Sequence, residues 1–366
     1  MQALVVSPPA PGVTLREMPE PEMSAESLLV EVLECGICGT DRDIVAGKYG
    51  TPPPGSKELI LGHENLGQVR EVGSRVSGFS VGDLVVATVR RGCGSCRFCR
   101  SGHSDFCETG RFTERGINGR HGYLAARYAE VPEYLVKVPS ALRSHAVLLE
   151  PLSVVEKAVQ QGRAVRGRFD ALPGFPPERP LRALVTGTGA IGMLAALVLA
   201  SEGCSVVAVD RHGADTPAAA LLARIGAAHV DTAAGLAALG ADRFDLILEA
   251  SGSPTLDFDL LGRLAPNGTI VLTGIPGADP TAFPVRGGAL LRSLVLENQV
   301  LVGSVNANRT HFDLGLAHLA AFRERWGDVA ERLVTERRPI AEYAAPLLGK
   351  AGATIKSVLT LPAGAP

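Results

Sequence analysis

No stretch of this sequence stays apolar long enough to cross a bilayer. The longest run, residues 193–200, falls well short of the roughly 20 residues that a spanning helix needs, so it reads as the core of a soluble helix. Charge of one sign is also missing. Lys and Arg number 36 against 38 Asp and Glu, and the signs are mixed along the chain. No basic stripe is left to hold a phosphate backbone, which sets nucleic acid aside as a partner. Residues 1–11 lack both the charged and the continuous apolar segments of a secretory leader, and a cytoplasmic protein is expected. Internal repeats and low-complexity tracts are absent too.

An even cysteine framework is the last thing lacking. The cysteines number seven; Cys93, Cys96, Cys99 and Cys107 lie close together, and Cys35 and Cys38 form a separate pair. Large cytosolic proteins keep thiols reduced, and clustered cysteines there more often bind metal than pair as disulfides.

What is present is a chain of 366 residues, 46% hydrophobic and 20% charged, long enough for about two domains at ~100–200 residues each. Residues 1–139 read as short alternating stretches broken by Gly and Pro, such as 28–33, 67–72 and 83–89, the pattern of a β-rich, barrel-like domain. Residues 150–161 switch to helical spacing, with Leu152, Val155, Ala158 and Val159 on one side, and look like a connector between domains. Residues 162–180, rich in Arg, Gly and Pro, read as an exposed loop. From 181 onward, strands (181–186, 206–210, 244–250, 269–273) alternate with helices starting at Ala190 and Pro217. That alternation predicts a parallel sheet covered on both faces. Beyond about Leu301 it stops, leaving a helical stretch at 312–325 and a terminal strand at 354–361.

Three motifs carry chemistry. Cys93, Cys96, Cys99 and Cys107 form two CxxC steps sharing a cysteine, followed by a fourth thiol, and can surround one tetrahedral Zn²⁺. Gly92, Gly94 and Gly102 allow the turns, and Arg97, Arg100 and Ser101 make the segment too polar for a set of unrelated core cysteines. With four protein ligands such a site is structural. Cys38, His63 and Glu64 are a dispersed second set. Thiolate, imidazole and carboxylate with an open position suit a catalytic zinc, although Cys35 and Cys38 could instead be a redox pair and His63 a satisfied core histidine. Gly187, Gly189 and Gly192 stand in GxGxxG register between a strand and an apolar helix, where backbone amides can meet a pyrophosphate. Asp210 follows about 20 residues beyond the turn, where a carboxylate binds the adenosine ribose, favouring NAD. Arg211 and His212 could receive a 2′-phosphate, so NADP stays possible. A glycine turn without ligand is the plainer alternative.

These residues together resemble the zinc-containing medium-chain dehydrogenase/reductase family over nearly the whole chain, and within it the glucose dehydrogenase branch. The pointers are the runs Cys38-Gly39-Thr40-Asp41, Gly62-His63-Glu64, Thr113-Glu114-Arg115-Gly116, Glu150-Pro151-Leu152-Ser153, and Gly303-Ser304-Val305-Asn306-Ala307-Asn308. The resemblance implies an α/β protein. A GroES-like β-barrel catalytic domain would span 1–155, completed by 306–366, and a Rossmann doubly wound parallel sheet would span 156–305.

It also implies one catalytic and one structural zinc. Cys38 and His63 would be ligands of the catalytic ion, with Glu64 or Glu150 completing the shell, and Thr40 would pass the substrate proton outward. Glu114, Glu150, Asn306 and Thr40 would bind sugar hydroxyls, although Glu114 on its own residues reads as a solvated surface charge. Gly187, Gly189, Ala190, Ile191, Gly192, Asp210, Arg211, Ser251, Gly274, Gly303 and Asn306 would bind the dinucleotide. A homodimer or homotetramer acting on a small sugar or polyol is the expected form. Another secondary alcohol or an aminocyclitol is the alternative substrate, and a dinucleotide-sensing binding protein the non-enzymatic alternative.

Overall fold

The computed structural model describes residues 1–170, 172, 179–276, 282–349 and 354–362. The chain divides into two compact units, Met1–Ser153 with Asn306–Ala320 and Val334–Pro366, and Val154–Val305 with Ala321–Leu333. Residues 321–333, expected with the first unit, thus group with the second.

The first unit opens with strands β1 (Gln2–Ser7), β2 (Ala10–Glu17) and β3 (Leu28–Ile37), then helix α1 (Gly39–Val45). Short β4 (Leu59–Ile60) precedes β5 (Glu64–Val72), β6 (Leu84–Ala87) and β7 (Arg90–Arg91). The cysteine-rich segment carries a single helical turn, α2 (Arg97–Arg100), and a 3-10 turn at Ser104–Phe106. After it come β8 (Thr113–Arg115), β9 (Gly119–Arg120), β10 (Arg127–Glu130) and β11 (Leu135–Val138). Alternating Leu28, Val30 and Val32 with Val69, Val85, Ala87, Leu135 and Tyr128 fill the core between these strands, as the period of two requires.

The unit boundary falls within α3 (Leu149–Arg166). This helix overruns the expected loop at 162–180, because Gly162 lies against Leu246 and Val271, where the missing side chain lets the helix pack. A 3-10 turn at Gly167–Phe169 follows, and residues 171 and 173–178 of that expected loop lie outside the described residues. The second unit then alternates β12 (Arg182–Thr186), α4 (Ala190–Ser201), β13 (Ser205–Asp210), α5 (Pro217–Arg224), β14 (Ala228–Asp231), β15 (Phe244–Glu249), α6 (Pro254–Leu261), β16 (Leu264–Leu272), α7 (Gly287–Leu296) and β17 (Val300–Gly303). All six strands are parallel, in the order β14-β13-β12-β15-β16-β17. The break expected near Leu301 is therefore misplaced: β17 is one more strand, half-exposed because it is a sheet edge.

Helix α8 (Arg309–Trp326) is longer at both ends than its apolar spacing suggested. The chain then adds β18 (Val334–Pro339), α9 (Ala344–Leu348) and β19 (Lys356–Thr360) to the first unit. In that unit β19 runs antiparallel to β3 and parallel to β18, giving the order β11-β6-β5-β3-β19-β18, with β10 also on β3.

Charge is buried in this barrel as a closed network. Glu130 Oε2 accepts from Arg91 Nη2 at 2.5 Å and from Arg115 Nε and Nη2 at 3.1 and 2.8 Å, and its Oε1 accepts the Val131 amide. Burial alone would raise the Glu130 carboxyl, but the two guanidinium groups hold it below the ordinary carboxylate range. A depressed carboxyl stabilises the fold above its unfolded value of about 4.3 and loses that contribution as pH falls through the lower folded value. Glu130→Gln is expected to cost about 3–5 kcal/mol at pH 7, since it leaves two buried cations uncompensated. Thermal melts at pH 7 and pH 3 should show the gap from wild type narrowing at the lower pH; an equal gap at both would contradict the assignment.

Candidate functional site

Cys38 closes β3 and caps α1. Its Sγ accepts from the Thr40 amide at 3.2 Å, and its own amide donates to Asp41 Oδ2 at 3.0 Å, a reciprocal cap. His63 enters beside it because β3 and β5 pair with Gly36 opposite Glu64, one residue past His63. A Cβ on Gly36 would collide with the Glu64 carboxylate, so glycine there lets that side chain cross the strand. The Cys38 Sγ and His63 Nε2 atoms stand 3.1 Å apart, and a Glu64 carboxylate oxygen lies within 4.8 Å of both.

The surroundings tune these groups. His63 Nδ1 sits 3.3 Å from Asp41 Oδ1, which turns Nε2 toward the thiol. Burial would push His63 down, but the Cys38 sulfur and the Asp41 carboxylate raise it well above the usual imidazole value. Glu64 is clasped by Lys356, whose Nζ donates to both carboxylate oxygens at 2.6 Å and to the Ile37 carbonyl at 3.3 Å. Glu150 is buried near these groups but stands outside the compact three-atom set, and burial lifts its carboxyl to about 7. Cys35 is not part of the cluster. It is fully buried in the barrel core against Gly62, and desolvation keeps its thiol protonated, which leaves Cys38 without an accessible redox partner there.

A thiolate, an imidazole with its outer nitrogen fixed, and a carboxylate within 4.8 Å suit a zinc ion that keeps a position open. The sulfurs of Cys93, Cys96, Cys99 and Cys107 also all lie within 4.8 Å of one another. The Cys96 and Cys99 amides point at Cys93 Sγ and Cys96 Sγ, each at 3.4 Å, and hydroxyls of Ser95 and Thr109 help hold the Cys93 thiol down at about 5. Gly92 faces Cys99 Sγ where any side chain would intrude. Four convergent sulfurs with amide donors fit a closed tetrahedral zinc.

Glu114 is not a solvated surface charge. It is buried, its Oε1 accepts from Arg90 Nε and Nη2 at 3.1 and 2.9 Å, and Asn306 Nδ2 donates to the same oxygen at 2.6 Å. Asn306 holds a left-handed φ of 60°. The strand bearing Glu114 ends against the His63 segment: Gly116 has a φ of 72° and faces Gly62 so closely that a Cβ would collide with its backbone.

In the second unit the glycine turn connects β12 to α4. Gly187 takes a φ of 81°, and a Cβ on Gly192 would collide with the Gly187 carbonyl, so the strand and helix can meet only through glycine. Gly189 precedes α4, and Ala190 and Ile191 form its exposed-amide first turn. Asp210 ends β13; its Oδ2 accepts from the Thr188 amide and hydroxyl at 2.7 and 2.8 Å, and its Oδ1 faces His212 Nδ1 at 2.5 Å. Arg211 is exposed. Ser251 follows β15, with its amide and hydroxyl on Glu249 Oε1 at 2.5 and 2.6 Å; Gly274 packs against the Gly252 backbone, and Gly303 ends β17.

Residues 24–140 match the alcohol dehydrogenase GroES-like domain, and residues 143–361 match the glucose dehydrogenase C-terminus. The chain belongs to the glucose dehydrogenase branch of the zinc-containing medium-chain dehydrogenases. Relatives in that branch include glucose 1-dehydrogenase 1 of Caldivirga maquilingensis, 42% identical over 94% of both chains, and glucose 1-dehydrogenase of Thermoproteus tenax, 41% identical over 94% of both. Among solved structures, Haloferax mediterranei glucose dehydrogenase in complex with NADP, zinc and gluconolactone superposes with a TM-score of 0.87, at 31% identity, covering 98% of this chain and 99% of the other.

Three neighbours of the site were not expected from the sequence: Lys356, Arg90, and Asp41 as the partner of His63. Asp41 stands in the run that begins at Cys38, so a search for a carboxylate near each ligand histidine would have found it. The donor sets predict about two zinc ions per purified chain, with Cys38→Ser and Cys96→Ser each losing about one. Atomic emission spectrometry decides this: a wild-type content near one would remove the ion from the Cys38 site.

Proposed function

We propose that the chain oxidises the anomeric hydroxyl of a free aldose, glucose foremost, to the aldonolactone, with a nicotinamide dinucleotide as oxidant. The hydride leaves C1 for the nicotinamide, and the hydroxyl proton leaves for solvent. The observation that carries this reading is Glu114. A buried carboxylate with one oxygen saturated and the other making no hydrogen bond among the described residues suits a polyhydroxylated substrate better than a simple alcohol. Bound zinc would supply Lewis acidity that makes a hydroxyl acidic near neutral pH, and the dinucleotide would supply the hydride acceptor.

The chain's own groups do the rest. Cys38 and His63, with Glu64 beside them, would hold the metal, while Asp41 fixes the imidazole. Thr40, half-buried on the first turn of α1, would carry the hydroxyl proton outward. Glu114 and Asn306 would accept and donate to ring hydroxyls, and Glu150 would bind a sugar hydroxyl or complete the shell of the metal in place of Glu64. Cys93, Cys96, Cys99 and Cys107 would hold a second, structural zinc. Gly187, Gly189, Ala190, Ile191 and Gly192 would receive the pyrophosphate, with Ser251, Gly274, Gly303 and Asn306 along the rest of the dinucleotide. Thr188 and His212 hold the Asp210 carboxyl below its ordinary range, against burial, so it stays an anion near the ribose. An anion there favours NAD, while Arg211 and His212 leave NADP usable.

A turnover screen of aldoses, polyols, aminocyclitols and secondary alcohols, read as reduced-nicotinamide absorbance with each dinucleotide, tests this. Glucose is expected to give the highest kcat/KM, greater with NAD than with NADP, and Cys38→Ser and His63→Ala should abolish turnover while leaving dinucleotide affinity intact. A polyol or aminocyclitol turned over well with no aldose activity would displace the reading.

No helix among the described residues is long and apolar enough to cross a membrane. The seven cysteines are all free, which suits a reducing compartment, and the cytoplasm is the proposed location. A second copy of the chain is the proposed partner. Edge strand β17 and helix α7 expose Leu291, Val295, Leu296 and Leu301 at 65, 76, 65 and 47%, an apolar face beside an unpaired strand edge in this unit. Light scattering after size exclusion should find a dimer or tetramer that Val295→Glu dissociates; a monomeric wild type at micromolar concentration would refute the interface.

A further inference from the structure

We infer that Arg90 is a positioning residue for the sugar site, and that it aims Glu114 from an anchor in the cysteine lobe. The inference rests on the reading of Glu114 as a group that binds substrate. Arg90 stands directly opposite Glu114 in the antiparallel pairing of β7 with β8, so the two side chains share one face. Its guanidinium is held on every side. Nε and Nη2 both donate to Glu114 Oε1 at 3.1 and 2.9 Å, Nη1 donates to the Asp105 carbonyl at 3.1 Å, and the plane lies over the Phe112 ring, 3.8 Å from its centroid.

This arrangement determines which carboxylate oxygen meets the substrate. Oε1 takes two bonds from Arg90 and one from Asn306, and is filled. Oε2 is left to accept from a sugar hydroxyl. A lysine could neutralise the charge but could not reproduce the fork, the ring stacking and the carbonyl contact together.

Asp105 ties the second sugar-facing group to the same point. It lies in the 3-10 turn Ser104–Phe106, just before Cys107, and its Oδ1 accepts from Asn308 Nδ2 at 2.9 Å. Asn308 also meets His103 Nδ1 at 3.2 Å and stands two residues beyond Asn306. One turn of the cysteine lobe therefore sets Glu114 through its carbonyl and Arg90, and the Asn306 segment through its carboxylate and Asn308. The metal-binding loop then does more than brace the fold, since sugar affinity depends on where it places Asp105.

A double-mutant cycle on the zinc-loaded enzyme tests this, with Arg90→Gln, Glu114→Gln and the pair, measuring KM and kcat for glucose, KM for dinucleotide and zinc content. Arg90→Gln is expected to raise the glucose KM at least about tenfold, the scale of a lost charge-assisted hydrogen bond, with dinucleotide KM unchanged and two zinc ions retained. Because Arg90 acts through Glu114, the pair should be no worse than Glu114→Gln alone. Arg90→Lys should fold and show an intermediate rise, and it decides the matter if Arg90→Gln is recovered unfolded. A raised KM in Glu114→Gln with none in Arg90→Gln, or in Arg90→Lys, overturns the proposal. Full additivity in the pair does so too. If Glu114→Gln itself leaves KM unchanged, the substrate reading of Glu114 fails, and the role of Arg90 fails with it.

Discussion

The cluster of Cys38, His63 and Glu64, the proposed metal site, depends on one buried ion pair. Lys356 is almost wholly buried, yet its ammonium reaches both oxygens of an equally buried Glu64 and the carbonyl that ends β3. Removing either member of such a pair leaves a charge stranded at a cost of about 3–5 kcal/mol. Together they tie β19 to β3, its neighbour in the sheet, and to β5 beyond it, at the place where Cys38 and His63 converge. The pair also sets the electrostatics there: Lys356 opposes the rise that burial and Glu64 impose on Glu150. Asp41, His63 and Cys38 then form a chain of neighbours, with Asp41 Oδ1 3.3 Å from His63 Nδ1 and His63 Nε2 3.1 Å from the Cys38 sulfur.

The two units express two kinds of pattern, and they were unequally legible in sequence. The cysteine series and the glycine turn are local, with every informative residue inside about twenty positions, so spacing alone placed Cys93 to Cys107 on one loop and Gly187 to Gly192 between β12 and α4. The convergence of Cys38, His63 and Glu64 is non-local. It depends on the register of β3 against β5, which no window of sequence contains, and only the resemblance joined those residues in advance. Glu114 shows the same limit: a lone glutamate reads as surface charge until β7 and β8 pair and place Arg90 opposite it.

The missed elements have physical reasons as well. Residues 162–180 read as an exposed loop from their Arg, Gly and Pro content, but Gly162 sits where α3 crosses Leu246 and Val271, and a side chain there would crowd both. β17 is half-exposed, so its sequence lacks the continuous apolar run of the inner strands. β18, Val-Thr-Glu-Arg-Arg-Pro, is an edge strand laden with charge, which protects an edge but hides a strand from hydropathy. Lys356 was invisible because a lysine in a terminal strand is ordinarily solvent-facing.

The position of β19 has a consequence for how the molecule is made. Ser357 pairs with Ile37, some 320 residues earlier, in a strand that lies between β3 and β18. During synthesis the sheet of the first unit must wait with that slot on β3 unfilled, while the parallel sheet of the second unit, built from one nearly continuous segment, has all its strands in hand. Contacts of such long range form slowly. Cys38, His63 and Glu64 therefore emerge from the ribosome long before the lysine that compensates Glu64, and the first of the two sites to be translated is the last to be finished.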